Sequence, residues 1–219
     1  MSDSPHVLVI NPNTNTQTTD TMTSLATQQL AGSGLTAVGA TAAEGPSVIV
    51  DPTALAASVP QVVAAAKKSV NSATRGIMVA AIGDPGVDDL RKIYDIPIIG
   101  IGGAAVLAAG ADGEPFGMVT TTKELGPSLE ALVKANQTAP FTGLRFTSAT
   151  AEEVAADPKL AITTLSAAID ECVKDGAKSV IIGGGPLSAA ADELAKTSTV
   201  GIVQPVPSAA AYLVKAINQ

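Results

Sequence analysis

Gly76-Ile77-Met78-Val79-Ala80-Ala81-Ile82-Gly83-Asp84-Pro85-Gly86 is an apolar run that ends in a tight Gly/Pro turn. A helix-like stretch, residues 87–94, follows it. The same order returns later in the chain. Ser179-Val180-Ile181-Ile182 runs into Gly183-Gly184-Gly185-Pro186, and residues 187–196 again have a helical pattern. Each copy predicts a buried strand, a turn and a helix. In open α/β sheets, ligands bind outside the carboxyl ends of the strands. Two such turns point to one site built from two related halves.

Working outward, further short apolar runs predict strands at 7–10, 35–40, 97–101, 116–119, 144–147 and 200–203. Helices are expected at 16–30, 53–70, 104–109, 127–136, 149–156, 158–175 and 208–217. Pro60 sits in an early turn of the 53–70 helix or kinks it. The 97–101 strand is expected to end at Gly102-Gly103. Strands alternating with helices make βαβ units and a mainly parallel sheet. The order restarts after a break near 102–115, which gives two similar α/β halves. The first is expected over 1–102 with 205–219, the second over 103–204.

The composition narrows the function. Hydrophobic residues make up 46% of 219, so a sizeable core is available, but aromatics are only 2%. Ala, Val, Ile and Leu must do the packing. A net charge of −7 argues against nucleic acid, where Lys and Arg neutralise phosphates. One cysteine, Cys172, leaves no intrachain disulfide and no Cys-rich metal site. One histidine, His6, excludes a histidine metal cluster and is expected to precede the first strand in a structural or exposed place. Met1-Ser2-Asp3-Ser4-Pro5 has no basic region ahead of an apolar stretch, and no apolar run is long enough for a membrane span. A cytoplasmic protein without membrane partners is the expectation.

Two polar turns each follow a strand and precede a helix. These are Asn11-Pro12-Asn13-Thr14-Asn15 and Thr120-Thr121-Thr122. Amides and hydroxyls there, with helix N-terminal N–H groups, suit a carboxylate or carbonyl oxygen. Plain N-capping is the competing role for Asn13 and Thr120. Gly83, Gly86, Gly183, Gly184 and Gly185 allow backbone N–H groups to approach a ligand, or serve only a tight strand–helix turn. Neither a dinucleotide fingerprint nor a P-loop fits the glycine spacing. Asp84 is the candidate proton carrier, against the alternative of a turn or cap residue. Asp88 and Asp89 suit a first helical turn. Lys123 is expected to be exposed, and Cys172 to lie on a helix face.

Taken together, several pieces resemble the aspartate/glutamate/hydantoin racemase superfamily, in particular its hydantoin and allantoin racemase branch. They are Ile10-Asn11-Pro12-Asn13-Thr14, Gly45-Pro46, Gly83-Asp84-Pro85-Gly86, Pro97-Ile98-Ile99-Gly100-Ile101-Gly102, Phe116-Gly117-Met118-Val119-Thr120-Thr121 and Asp175-Gly176-Ala177 leading to Gly183. The resemblance implies two pseudo-symmetric α/β lobes, each a mainly parallel sheet flanked by helices, with the site in the cleft between them. It implies cofactor-independent, metal-free chemistry on a small-molecule substrate, and a homo-oligomer. Asn11, Asn13, Gly83, Thr120, Thr121, Gly183, Gly184 and Gly185 fall on the implied substrate-binding turns. The family's usual mechanism uses one thiol from each lobe, on opposite faces of the carbon being inverted. Those two thiols match Ala81 and Gly184, and Cys172 matches neither place. The related arylmalonate decarboxylases keep the second cysteine, which this chain also lacks. Ile82 stands where the family often carries an aromatic residue, which favours natural divergence over substituted cysteines. The expectation is therefore an enzyme on a small carboxylate, imide or ureido compound by other chemistry. The alternatives are a non-catalytic binding member and a racemase whose cysteines were substituted.

Overall fold

The protein is described by a computed structural model covering residues 4–184 and 187–219. Its strands form two four-stranded sheets. The first contains β1 (His6–Asn11), β2 (Thr36–Thr41), β3 (Thr74–Val79) and β4 (Ile98–Gly100), in the order β2-β1-β3-β4. The second contains β5 (Phe116–Thr120), β6 (Phe141–Phe146), β7 (Ser179–Gly183) and β8 (Gly201–Val203), in the order β6-β5-β7-β8. Every neighbouring pair is parallel. The two orders are the same once four is added to each strand number, so the repeat read from the sequence is a repeat of topology. The chain divides into one unit running to Ala104 with Val206–Gln219, and a second over Ala105–Pro205.

In the first unit, β1 carries Val7, Leu8, Val9 and Ile10, all fully buried. Successive side chains on a strand point to opposite faces, and here both faces are covered. Val7 and Val9 join Met22 and Ala26 of helix α1 (Thr16–Gln29) and Ala209 and Leu213 of helix α10 (Pro205–Ile217). Leu8 and Ile10 join Val62 and Ala66 of helix α3 (Val59–Ser69) and Leu90 of helix α4 (Val87–Ile93). A strand buried on both sides needs an unbroken apolar run, which is why no polar alternation is visible in the sequence.

In the second unit, Val119, Val180 and Ile182 pack with residues of helices α7 (Ala151–Ala156), α8 (Pro158–Lys174) and α9 (Ser188–Ala195). With few aromatic rings, this packing relies on small side chains. Cys172 of α8 lies so close to Gly117 of β5 that a β-carbon there would come within 2.9 Å of its sulfur.

The helix starts follow local chemistry. Asn15 caps α1 by accepting from Thr18 N, and Asp157 caps α8 ahead of Pro158. Four expectations change. The strand expected at 144–147 is β6 (Phe141–Phe146), and the closing helix expected at 208–217 starts earlier, at Pro205. The single helix expected over 53–70 is two, α2 (Pro52–Ala57) and α3, meeting at Ser58. Pro60 has no N–H to donate back to Ala56, so the ladder breaks there. The strand expected to end at Gly102-Gly103 stops at Gly100, and helix α5 (Ile101–Ala109) takes both glycines into its first turn.

Candidate functional site

In the first unit, the turn after β1 begins at Asn11, which is fully buried. Its amide nitrogen lies 2.9 Å from Asn13 Oδ1, 2.9 Å from the Asn15 carbonyl and 3.0 Å from Thr19 Oγ1. Its oxygen accepts from Asn13 N. Asn11, expected on the binding surface, therefore spends its hydrogen bonds inward on the turn and on α1. Asn13 is half-buried, and its Oδ1 accepts both from Asn11 Nδ2 and from Asn15 N. With the oxygen taken up twice, the amide nitrogen is the end turned away from these partners. Thr14 N donates to the carbonyl of Pro46, tying this turn to the loop after β2.

The turn after β3 starts at Ala80, whose N–H donates to the Ile10 carbonyl. Asp84 N then donates to the Ala81 carbonyl, closing a tight turn around Ile82 and Gly83. Among the described residues, Asp84 is the one non-glycine residue in the left-handed region, at φ +51°. Aspartate tolerates that region better than most side chains. Gly86 follows at φ +76° and leads α4. A β-carbon on Gly83 would stand 2.6 Å from Leu55 Cδ2 of α2, so a side chain there requires Leu55 to shift.

The Asp84 carboxylate accepts from Gly102 N at 2.7 Å and Gly103 N at 2.6 Å, the first turn of α5. Burial pushes its carboxyl up to about 7, against the two amide hydrogen bonds and the nearby Arg91, which favour the charge. The proton-carrier role expected of Asp84 thus meets a geometry in which both oxygens already serve a helix N-terminus. This pairing was not foreseen from the sequence. The signal for it was Gly100-Ile101-Gly102-Gly103, a glycine cluster with no turn of its own to explain it.

In the second unit, Thr120 ends β5 and is buried, and its carbonyl accepts from Thr147 N at 3.0 Å. Thr121 and Thr122 are half-buried, with their hydroxyls 3.4 Å apart. Thr120 pairs with Gly183 of β7, so the threonine turn and the glycine turn lie side by side. Gly184 has φ +125°, and a β-carbon built on it would stand 4.0 Å from Thr121 Oγ1. Gly185 lies outside the described residues.

The strand registers match Ala81 and Gly184. Ile10 pairs with Val79 and Val119 with Ile182, each in the central pair of its own sheet. Ala81 and Gly184 each stand two residues beyond that partner. Neither side chain carries a transferable proton. Cys172 is buried in α8, where burial pushes its thiol up to about 11. It is a packing residue there. His6 opens β1 instead of preceding it, and is buried, bonded to Thr74 Oγ1 and the Ser4 carbonyl at the amino end of the sheet. Lys123 is exposed. Among the described residues, no group of three His, Cys, Asp or Glu side chains is placed to hold a metal ion, and no helix is long and apolar enough to cross a membrane.

Two parallel sheets of one topology, each with a polar turn and a glycine turn at the carboxyl ends of its central strands, define the class. The chain belongs to the Asp/Glu/Hydantoin racemase family, whose profile matches residues 7–213. Hydantoin racemase of Paenarthrobacter aurescens is 26% identical over 209 residues, covering 93% of this chain and 87% of that protein. Among solved structures, allantoin racemase from Pseudomonas fluorescens superposes with a TM-score of 0.88 at 21% identity, covering 97% of this chain and 91% of its own. Allantoin racemase from Klebsiella pneumoniae gives 0.86 at 23%, covering 98% and 88%.

Proposed function

We propose that this chain is an enzyme of its family that acts on a small carboxylate, imide or ureido compound by chemistry other than two-thiol racemisation, as an isomerase, lyase or hydrolase. The observation that carries the reading is the matched pair Ala81 and Gly184. Inverting a carbon in place takes an acid and a base on opposite faces, and these two positions offer neither. The sole thiol, Cys172, is buried against Gly117. In the first unit, the Asn13 amide donates to a ligand oxygen while Asn11 holds it in orientation, and Gly83 brings backbone close. In the second, Thr120, Thr121, Gly183 and Gly184 form the binding turn. Asp84 acts as the anchor of its turn, because both oxygens are engaged by Gly102 and Gly103. Proton transfer falls to a water held by the Thr121 hydroxyl beside Gly184. In this reading the protein works in the cytoplasm as a homo-oligomer, without a cofactor.

The substrates named for the relatives, hydantoins and allantoin, are cyclic imides or ureides and are the first compounds to try. Enantiopure hydantoin derivatives and allantoin are incubated with the protein in deuterium oxide and followed by proton NMR and chiral chromatography. The expected result is no fast α-deuteration with racemisation, together with slow conversion of one compound to a ring-opened or isomeric product. Rapid deuteration with racemisation overturns the reading. The occupied carboxylate of Asp84 favours a second reading, a binding member without turnover. Ligand-dependent thermal stabilisation with no product from any compound selects it.

A further inference from the structure

Behind the asparagine turn of the first unit lie two threonines. Thr19 of α1 is buried, and its hydroxyl oxygen is 3.0 Å from the Asn11 amide nitrogen and 2.7 Å from the hydroxyl of Thr41. Thr41 is half-buried, ends β2 and pairs with Asn11 in the strand register. A hydrogen-bonded path therefore runs from Thr41 through Thr19 and Asn11 to Asn13. Gly39 of β2 marks the close approach that this path needs. It lies outside the left-handed region, so its backbone does not demand glycine. A β-carbon there would stand 2.8 Å from Thr19 Cγ2 and 2.6 Å from Thr23 Oγ1, so the helix sits this near the strand only over a glycine.

The path does not start α1, because Asn15 caps that helix by itself. Packing does not call for it either, since apolar side chains of the same shape replace a buried polar pair at little cost. What it sets is orientation. The Asn11 amide has two hydrogens for three acceptors, Asn13 Oδ1, the Asn15 carbonyl and Thr19 Oγ1. With Thr41 donating to Thr19, the Thr19 hydroxyl donates to the Asn15 carbonyl at 3.3 Å, and the two amide hydrogens go to Thr19 and Asn13. Asn13 Oδ1 also accepts from Asn15 N, so the Asn13 NH2 group is turned away from both partners.

We infer that Thr19 and Thr41 are positioning residues for the Asn13 donor. Their hydroxyls fix the Asn11 amide, which holds the Asn13 oxygen inward and leaves its NH2 group free to donate. The first unit then presents an uncharged donor, suited to a carbonyl oxygen. That a ligand carbonyl meets it rests on the reading of the chain as a binder of small imide or ureido compounds. The orientation of Asn13 does not rest on that reading.

Two readouts on the whole protein test this. One is the NMR signals of the side-chain NH2 groups in protein carrying isotope-labelled asparagine, assigned with Asn11→Ala and Asn13→Asp. The other is thermal-shift titration with unsubstituted hydantoin. Thr19→Val keeps the shape of the side chain but sets a methyl group against Asn11 Nδ2 and Thr41 Oγ1, nearer than carbon packs. It is expected to move the Asn13 NH2 signals and to weaken hydantoin binding about tenfold, the worth of one net hydrogen bond. Thr41→Val changes both in the same direction. Thr19→Ser, which keeps the hydroxyl, restores the wild-type signals and affinity. Added to Asn13→Ala, Thr19→Val changes affinity no further. Asn13 signals that stay in place in Thr19→Val overturn the inference, as do equal effects of Thr19→Ser and Thr19→Val. Absence of hydantoin binding to the wild type overturns the small-ring reading, and the NMR signals then decide the inference alone. Their movement in Thr19→Val and return in Thr19→Ser uphold it, and their constancy overturns it.

Discussion

The carboxylate of Asp84 lies over the α-carbon of Gly100, in the space that a β-carbon on residue 100 would fill. From there it reaches the amides of Gly102 and Gly103 and starts α5. One side chain thus joins the turn after β3 to the helix after β4. Gly100→Ala is expected to push the carboxylate off its cap. The cost combines a lost helix cap, about 0.5–2 kcal/mol, with local overpacking of about 1–3 kcal/mol. Asp84→Asn costs a similar amount, because its NH2 group faces one of the two amide donors. Since both substitutions break one interaction, the double variant falls well short of the sum. Urea denaturation of the three variants checks this, and strict additivity would show that the two residues do not act together.

The same carboxyl gives the stability a pH dependence. Its ordinary value is 3.8, and in the folded protein it is pushed up to about 7. Between these values the folded state holds a proton that the unfolded chain has released. The contribution of this group is therefore fully present below about 3.8, falls as pH rises, and is gone above about 7. Measured as wild type minus Asp84→Asn, which cancels most other titrations, the stability difference should decline across that window and then level off. A difference that grows with pH would show that the two amide bonds outweigh burial and keep Asp84 charged.

Asn11 and Asn13 should separate by experiment although they are two residues apart. Asn11 is buried, and its amide serves Asn13, Asn15 and Thr19. Asn11→Ala removes one hydrogen bond from each of those groups and takes away the oxygen that accepts from Asn13 N, and is expected to destabilise by about 1–3 kcal/mol. Asn13→Asp keeps the oxygen that accepts from Asn11 and Asn15 but replaces the outward donor with an acceptor. It should leave stability within about 0.5 kcal/mol, while ligand-induced stabilisation is lost. Equal effects of the two on stability and on ligand response would remove the distinction between holding and binding.

The strands were legible because β1, β3, β5 and β7 are covered on both faces and so appear as short apolar runs between turn residues. The repeat was legible because both sheets use one strand order. Helix starts at Asn15 and Asp157 announce themselves through residues next to the helix. The start of α5 does not, since its cap is Asp84, which lies 18 and 19 residues before the amides it receives. The inward turn of Asn11 was hidden for a similar reason. Which way an amide points depends on Thr19 and on the fold of the turn, and residue type alone favours both a cap and a ligand contact. Burial of Cys172 lay within reach of the sequence, from its place on the apolar stripe of α8.

The matched positions Ala81 and Gly184 differ in how easily each would accept a thiol. Ala81 already carries a β-carbon and lacks the positive φ that sets glycine positions apart. Ala81→Cys adds one sulfur at a half-buried place and should change stability by no more than about 0.5 kcal/mol. Gly184 has φ +125°, where a side chain is strained at a cost of about 1–3 kcal/mol. Among the described residues the nearest atom is Thr121 Oγ1 at 4.0 Å, which leaves backbone conformation as the main source of that cost. Gly184→Cys should therefore lower the melting temperature while Ala81→Cys does not. The new thiol at 81 should react with iodoacetamide in the native protein, whereas Cys172, buried and pushed up to about 11, should react only after denaturation. Mass spectrometry of native and unfolded samples distinguishes the two. Fast native labelling of Cys172 would contradict its assignment as a packing residue. Equal tolerance of cysteine at 81 and 184 would contradict the backbone account of Gly184.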